Sequence, residues 1–212
     1  MSEFREKCYD CNRPKNSCLC KHITPINTQS QFIILMHPKE FKKTKNNTGK
    51  MTNTSLPNSQ IHVGIDFTNN HKINEILNNP KNTCFVLYPS DMSINLNQNN
   101  IKEENKNIVI FIIDSTWPCS KKILRKSSNI RSLPYISFEH KKVSQYKFKT
   151  QPCELALSTI ESTLCVLELL NKHEIENIKK NQLENFLEPF FQMITYQSTF
   201  YSNPNKKQVR YK

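Results

Sequence analysis

IVIFIIDSTW, residues 108–117, is the stretch that decides the fold. Six consecutive large apolar residues stop abruptly at Asp114, and the only tryptophan of the chain, Trp117, follows three residues later. An apolar run without alternation predicts a strand covered on both faces, as in parallel sheets packed between helices. Ligands of such sheets bind beyond the carboxyl ends of the strands, so Asp114 lies where a functional carboxylate is expected.

A structural role for Asp114 stays open at this point. Pro118 and the basic residues of 121–125 predict a helix that begins just after Asp114, and an Asp before a helix often caps its amino end. The stretch alone favours neither interpretation, so the rest of the chain must decide.

Strands and helices alternate along the remaining chain. Apolar runs predict further strands at residues 32–36, 61–65, 83–88 and 133–138. Apolar residues at helical spacing predict a helix near Ile73 and a helical carboxyl-terminal part. The basic stretch 42–45 is predicted to be a loop, and the polar stretch 90–107 an exposed connection. The alternation predicts an α/β fold with a mainly parallel sheet flanked by helices.

The composition limits the class of protein. A chain of 212 residues can bury a real core and suggests one main domain with a small appendage. A formal net charge of +12 favours a polyanionic partner, with nucleic acid ahead of a membrane surface. A biased genome that favours Lys and Asn is the alternative explanation. Because no apolar segment resembles a signal peptide or a membrane span, we expect a cytoplasmic protein.

Glycine is almost absent, since only Gly49 and Gly64 occur. This scarcity excludes the G-x-G-x-x-G fingerprint of dinucleotide-binding proteins, and Met51 after Gly49-Lys50 excludes a P-loop. The chain also lacks the paired H-x-E and P-C-x-x-C motifs of zinc-dependent deaminases.

Four of the eight cysteines lie close together near the amino terminus. Cys8, Cys11, Cys18 and Cys20 form C-x2-C-x6-C-x-C, a spacing that lets four thiolates meet at one tetrahedral ion. Soft thiolate ligands favour zinc, and a closed four-thiolate shell makes that zinc structural. An iron–sulfur cluster and free thiols are the alternatives. The remaining cysteines are predicted to be mainly core residues: Cys84, Cys119, Cys153 and Cys165.

Five motifs in a fixed order resemble the DTW-domain family. They are C-x2-C-x-R-P ending in Cys18-Leu19-Cys20, then NTGK at 47–50, YPS at 88–90, DSTW at 114–117 and LSTIE at 157–161. The match covers residues 8 to about 170. This family includes tRNA-uridine aminocarboxypropyltransferases, which are similar in fold to the SPOUT methyltransferases, many of them knotted. The resemblance implies transfer of the 3-amino-3-carboxypropyl group of S-adenosylmethionine to N3 of a tRNA uridine.

The chain departs from the family pattern at four positions. Ser115 replaces a glycine, Ser162 replaces an alanine, and Lys50 and Lys149 replace arginines. Lysine keeps the charge but loses the bidentate fork, so a carboxylate or phosphate contact would be weaker. Ser115 matters only if the backbone there needs a positive φ.

The resemblance also implies roles for the motif residues. Asp114 is the expected base for the uridine imide, and partial burial beside Trp117 would suit that role. Glu161 is the rival base, although Ser158-x-x-Glu161 also reads as a capping box. Trp117 either stacks on the uridine or lines the pocket.

The resemblance and the positive charge together predict the binding residues. The donor is expected to contact Thr48, Gly49, Tyr88, Pro89, Ser90, Ser115, Thr116, Trp117, Leu157, Ser158, Thr159 and Glu161. Transfer RNA is expected to contact Lys42, Lys43, Lys45, Lys50, Lys121, Lys122, Arg125 and Lys149. Residues 1–25 are expected to form a zinc-binding segment, and residues 26–212 the catalytic domain.

Two other functions are compatible with these motifs. The same pocket could transfer methyl, as the related fold does, or the chain could be a zinc-containing RNA-binding module without activity. The sequence leaves open which tRNAs are bound, the oligomeric state and whether the backbone is knotted.

Overall fold

The computed structural model describes residues 6–11, 13–43, 46–140, 144 and 157–201. Its centre is a sheet of six parallel strands in the order β2-β1-β5-β3-β6-β4. The strands are β1 (Gln31–Met36), β2 (Ser59–Val63), β3 (Asn82–Leu87), β4 (Ile94–Asn95), β5 (Asn107–Asp114) and β6 (Tyr135–Ser137). The predicted α/β class and parallel sheet are confirmed.

Strand β5 is the decisive stretch, and it lies in the middle of the sheet between β1 and β3. Each of its residues from Ile108 to Phe111 is at most 5% exposed. Alternate side chains enter two different cores: Ile110 packs with Phe32 on one face, and Phe111 packs with Ile33 on the other. Burial on both faces explains why the strand sequence shows no polar alternation.

Helices cover both faces of the sheet. They are α1 (Pro38–Lys43), α2 (Thr48–Ser55), α3 (His71–Asn78), α4 (Trp117–Lys126), α5 (Ser128–Arg131), α6 (Thr159–Lys172), α7 (Lys180–Asn185) and α8 (Glu188–Tyr201). Residues of α6 and α8 fill the core on the Phe32 face, whereas α3 and α4 contribute to the core on the Ile33 face. No helix within the described ranges is both long enough and apolar enough to cross a bilayer.

Two predictions about connections were wrong. Lys42 and Lys43 belong to helix α1, not to a loop; Pro38 begins this helix and Glu40 lies in its first turn, both of which favour a helical start. The polar stretch 90–107 contains β4 and the buried residues Leu96 and Ile101. Those two side chains fill the core that α6 and α8 cover, so this connection is only partly exposed.

The amino-terminal segment packs on the main core. Leu19 and Ile26 are 6% and 1% exposed and belong to the same hydrophobic cluster as Phe32. Short 3-10 turns at Lys15–Ser17 and Cys20–His22 shape this segment. Its division from the catalytic domain at residue 25 stays a prediction.

Candidate active site

Asp114 ends strand β5 and is only 4% exposed. Its carboxylate accepts two short hydrogen bonds, from Asn47 Nδ2 at 2.6 Å and from the Thr159 hydroxyl at 2.7 Å. Hydrogen bonds to an ionised carboxylate are stronger than neutral ones, so these donors stabilise the charged form. The carboxylate is thus fixed in one orientation.

The two donors come from the amino ends of two helices. Asn47 is the N-cap residue of α2, where its side-chain oxygen accepts a hydrogen bond of 2.7 Å from the Lys50 amide. Thr159 is the first residue of α6. Helix amino ends carry partial positive charge, which favours a carboxylate between them.

Strand pairing fixes the backbone of Asp114. Met36 of β1 lies opposite Asp114 in the parallel register, and the next amide, that of His37, donates to the Asp114 carbonyl at 3.1 Å. The alternative role as a cap of α4 is wrong, because the N-cap residue of α4 is Thr116. Asp114 instead joins β5 to α2 and α6.

Gly49 allows the close approach of Asp114 to helix α2. A Cβ atom at Gly49 would lie 2.6 Å from Asp114 Oδ2 and 2.7 Å from its Cγ. Asp114 is held by two hydrogen bonds and cannot move away without breaking them. The NTGK motif therefore has a steric role as well as a capping role.

Replacing Gly49 with Ala tests this close approach. Alanine normally favours a helix over glycine by about 0.5–1 kcal/mol, but overpacking typically costs about 1–3 kcal/mol, so we expect a net loss of stability. We also expect the activity of the folded fraction to fall, because Asp114 must shift.

Gly64→Ala is the matched control, since its Cβ would crowd Phe67 at 2.9 Å and not Asp114. Equal residual activity per folded molecule in the two variants would contradict the steric role. Thermal unfolding and activity assays measure the two effects.

Glu161 forms the predicted capping box at the start of α6. Its Oε2 accepts from the Ser158 amide at 2.8 Å, from the Ser158 hydroxyl at 2.6 Å and from the Ser144 hydroxyl at 2.8 Å. Glu161 and Ser158 are 6% and 8% exposed, and the preceding Leu157 is half-buried. The capping interpretation of Glu161 is confirmed.

An aromatic surface lies beside the carboxyl end of β3. The ring centroids of Tyr88 and Trp117 are 5.7 Å apart, and those of Tyr88 and Tyr135 are 6.0 Å apart. Burial, and secondarily Tyr135, raises the pKa of the Tyr88 hydroxyl. Trp117 is 38% exposed, so it is not a core residue. Pro89 and Ser90 are exposed next to this pair.

Ser115 takes an ordinary backbone conformation. Among the described residues only Asn105 and Glu174 have positive φ outside glycine, so the serine in place of glycine causes no backbone strain. Its hydroxyl contacts that of Ser120 at 2.9 Å, in the first turns of α4. Thr116 is exposed.

The predicted tRNA contacts that the structure describes lie on helices α1, α2 and α4. Lys121, Lys122 and Arg125 are exposed on α4, and Lys42 is exposed on α1. Lys50 is directed inward to α1: its Nζ donates to the Phe41 carbonyl at 2.9 Å and lies 4.4 Å from the Phe41 ring centroid. Lys43 belongs to α1, and Lys45 and Lys149 lie outside the described residues.

The four amino-terminal cysteines form one cluster. Their sulfur atoms all lie within 4.8 Å of one another, with 3.7 Å between Cys8 and Cys20 and 3.8 Å between Cys11 and Cys18. Sulfurs bound at about 2.3 Å to one tetrahedral zinc are about 3.8 Å apart. The amides of Cys11 and Asp10 donate to the Cys8 sulfur and lower its pKa to about 7. The donor set fits a tetrahedral metal ion.

The other cysteines follow the prediction in part. Cys84 and Cys165 are buried, as predicted, whereas Cys119 is only half-buried. Cys153 lies outside the described residues. Burial raises the pKa of the Cys84 thiol to about 11, so it stays protonated.

Sequence reasoning overlooked two residues at this site. Asn47 was part of a motif, but its side-chain bond to Asp114 spans 67 positions and has no local signal. His37 was treated as part of a polar stretch, yet it is 5% exposed and its Nδ1 accepts from the Lys39 amide at 3.2 Å. Burial lowers the pKa of the His37 imidazole, and the positive charges of Lys39 and Lys122 lower it further. The negative charge of Glu40 acts in the opposite direction and raises it. A histidine directly before a proline, at the end of a buried strand, is the signal that could have found it.

The DTW-domain model matches residues 5–198 of the chain. The chain belongs to the DTW-domain family. Three relatives are named tRNA-uridine aminocarboxypropyltransferase 2. The fruit fly protein (Drosophila melanogaster) is 32% identical over 78% of this chain and 67% of its own length. The mouse protein (Mus musculus) is 26% identical over 81% of this chain, and the macaque protein (Macaca fascicularis) is 28% identical over 80%.

The DTW-domain chain spans only part of its mammalian relatives, 59% of the mouse protein and 58% of the macaque protein. No solved structure matches it. The similarity to SPOUT methyltransferases and a knotted backbone therefore stay predictions for this DTW domain.

Proposed function

We propose that this protein is an enzyme that transfers the 3-amino-3-carboxypropyl group of S-adenosylmethionine to N3 of a tRNA uridine. The main support for this proposal is that residues of three motifs meet at one carboxylate, that of Asp114. The first motif provides Asn47 and Gly49, the second provides Asp114, and the third provides Thr159. The shared enzyme name of the relatives supports this assignment.

The reaction needs a base and an aligned donor. Uridine N3 attacks the methylene that joins the 3-amino-3-carboxypropyl group to the sulfonium. The bond between this carbon and sulfur breaks, and its electron pair stays on sulfur in methylthioadenosine. The imide proton leaves N3, and we assign its acceptance to Asp114. The hydrogen bonds from Asn47 and Thr159 orient the two carboxylate oxygens, and an ionised carboxylate is an acceptor group that can take up a proton. Holding the base in one orientation favours in-line transfer.

The donor is proposed to bind between the aromatic surface and the two helix amino ends. Tyr88, Pro89 and Ser90 follow β3, and Ser115, Thr116 and Trp117 follow the neighbouring strand β5. The facing side of the site is proposed to include Thr48 and Gly49 of α2 and, around the start of α6, Leu157, Ser158, Thr159 and Glu161. The exposed Trp117 ring is suited to stack on the adenine or on the uridine.

The proposal includes a structural metal and a cytoplasmic location. Four clustered thiols suit zinc, which would fix the amino-terminal segment and take no part in the transfer. The seven described cysteines form no disulfide among themselves, as is usual for proteins of a reducing compartment. The exposed cations of α1 and α4 are proposed to contact the tRNA backbone.

The by-product of the donor tests this function. Incubation with unmodified tRNA and S-adenosylmethionine is expected to release methylthioadenosine in proportion to modified tRNA. Release of S-adenosylhomocysteine would instead indicate methyl transfer. Donor-independent tRNA binding without either by-product would indicate a binding module. Chromatography of the nucleoside fraction separates these outcomes.

A further inference from the structure

The amino-terminal segment and helix α8 enclose a surface groove of about 340 Å³. Its lining includes Arg13, Lys15, Lys21 and His22 from the segment, and Tyr196 from α8. No acidic residue of the described chain lines it. The groove shares no residue with the surroundings of Asp114, and its cationic lining is suited to a polyanion.

Tyr9 lies on the turn that connects the first two cysteines of the cluster. It is 95% exposed, more than any other large hydrophobic side chain that the structure describes. The amides of Asp10 and Cys11 donate to the Cys8 sulfur and hold this turn in shape. The turn therefore presents an aromatic ring to solvent from a fixed backbone, an arrangement suited to stacking on an unpaired base.

The cysteine cluster connects the ring to the groove. Cys18 lines the groove, and its sulfur lies within 4.8 Å of the Cys8 sulfur, at the start of the Tyr9 turn. Several cations and an exposed aromatic ring are thus carried by one segment. This combination is typical of surfaces that bind single-stranded RNA.

Two neighbouring negative groups weaken the positive potential of the groove. Lys15 forms an ion pair with Glu6 at 2.5 Å, and a zinc ion held by four thiolates would carry a net negative charge. Lys21 is exposed and has no ion-pair partner among the described residues, and the exposure of Tyr9 does not depend on charge. These two side chains are therefore the best probes of the surface.

We propose that the surface formed by Tyr9 and the cationic groove is a second tRNA contact, in which Tyr9 stacks on an unpaired base and Lys21 binds a neighbouring phosphate. It rests on the proposed function only in the choice of tRNA as the partner. The contact would raise the affinity for tRNA without taking part in the chemical step.

Binding of a labelled, unmodified tRNA transcript without donor tests this contact. We expect Tyr9→Ala to raise the Kd about fivefold or more, and Tyr9→Phe to keep wild-type affinity, because stacking needs the ring and not the hydroxyl. We expect Lys21→Ala to lower the slope of log Kd against log salt by about one, the contribution of one phosphate contact. Lys81→Ala is the matched control, because Lys81 is an exposed lysine in the turn directly before β3.

The activity assay separates this contact from the transfer site. Tyr9→Ala and Lys21→Ala are expected to keep the wild-type kcat at saturating tRNA. Their metal content should also stay at the wild-type level, while their KM for tRNA rises. If Tyr9→Ala and Lys21→Ala bind tRNA as tightly as Lys81→Ala, the second contact is overturned. Weaker binding that accompanies a loss of metal would also overturn it. A wild-type chain that binds tRNA through Tyr9 but forms no product would overturn the proposed function and keep this contact.

Discussion

Replacing Asp114 with Asn is expected to slow transfer to tRNA by about 10²- to 10⁴-fold, the usual contribution of a positioned general base. The physical reason is the loss of the only proton acceptor that the proposal assigns to the uridine imide. Single-turnover assays at saturating donor and tRNA measure the chemical step directly. Binding of donor and tRNA should change much less than the rate.

The fold should tolerate this substitution. The Asn oxygen can accept from Asn47 Nδ2, and the Asn amide can donate to the Thr159 hydroxyl, which rotates to accept. Thermal unfolding should therefore stay cooperative, although the loss of charge between two helix amino ends should lower the midpoint.

Glu161→Gln is the matched control for the base. Glutamine also serves at this position of a capping box, so the substitution removes the carboxylate and keeps the cap of α6. At saturating donor and tRNA we expect transfer to stay near the wild-type rate, even if the affinity for the donor falls. A wild-type rate in Asp114→Asn together with a large loss in Glu161→Gln would assign the base to Glu161.

Removing the metal is expected to unfold the amino-terminal segment while the parallel sheet persists. Zinc binding by small four-ligand sites provides about 10–16 kcal/mol of apparent free energy, which is folding free energy where no preformed site exists. Cys11→Ser removes one of the four clustered sulfurs. Hydrogen exchange of residues 6–23 should become fast, and the exposure of Leu19 should lower the unfolding temperature.

Metal analysis and visible absorbance of the purified protein test this prediction. One zinc per chain and no visible absorbance are expected for the wild type, whereas an iron–sulfur cluster would absorb in the visible range. Cys119→Ser is the matched control, because this half-buried cysteine lies outside the cluster and should leave metal content unchanged. A Cys11→Ser variant that keeps its metal and its protection from exchange would contradict the structural role.

Local sequence signals predicted five of the six described strands and the longest helices, but not their arrangement in space. The apolar run that ends at Asp114 predicted a buried strand, because burial on both faces needs apolar residues at every position. Its insertion between β1 and β3 has no such signal. Strand β4 has only two residues and depends on its pairing with β6, so no periodicity could reveal it.

The candidate site shows the same limit. The capping box of Ser158 and Glu161 is local and was predicted from its spacing. The bonds of Asp114 to Asn47 and Thr159 span 67 and 45 positions, so only the folded chain brings these donors to the carboxylate. The role of Gly49 likewise depends on a contact with a distant strand, which its sequence neighbours do not reveal.

Mass spectrometry of nucleosides from unmodified tRNA, incubated with this protein and S-adenosylmethionine, tests directly which group is transferred. We expect a uridine that is heavier by one 3-amino-3-carboxypropyl group attached at N3, formed by the wild-type chain and nearly absent with Asp114→Asn. A uridine heavier by a methyl group, or unchanged tRNA from every source tested, would contradict it.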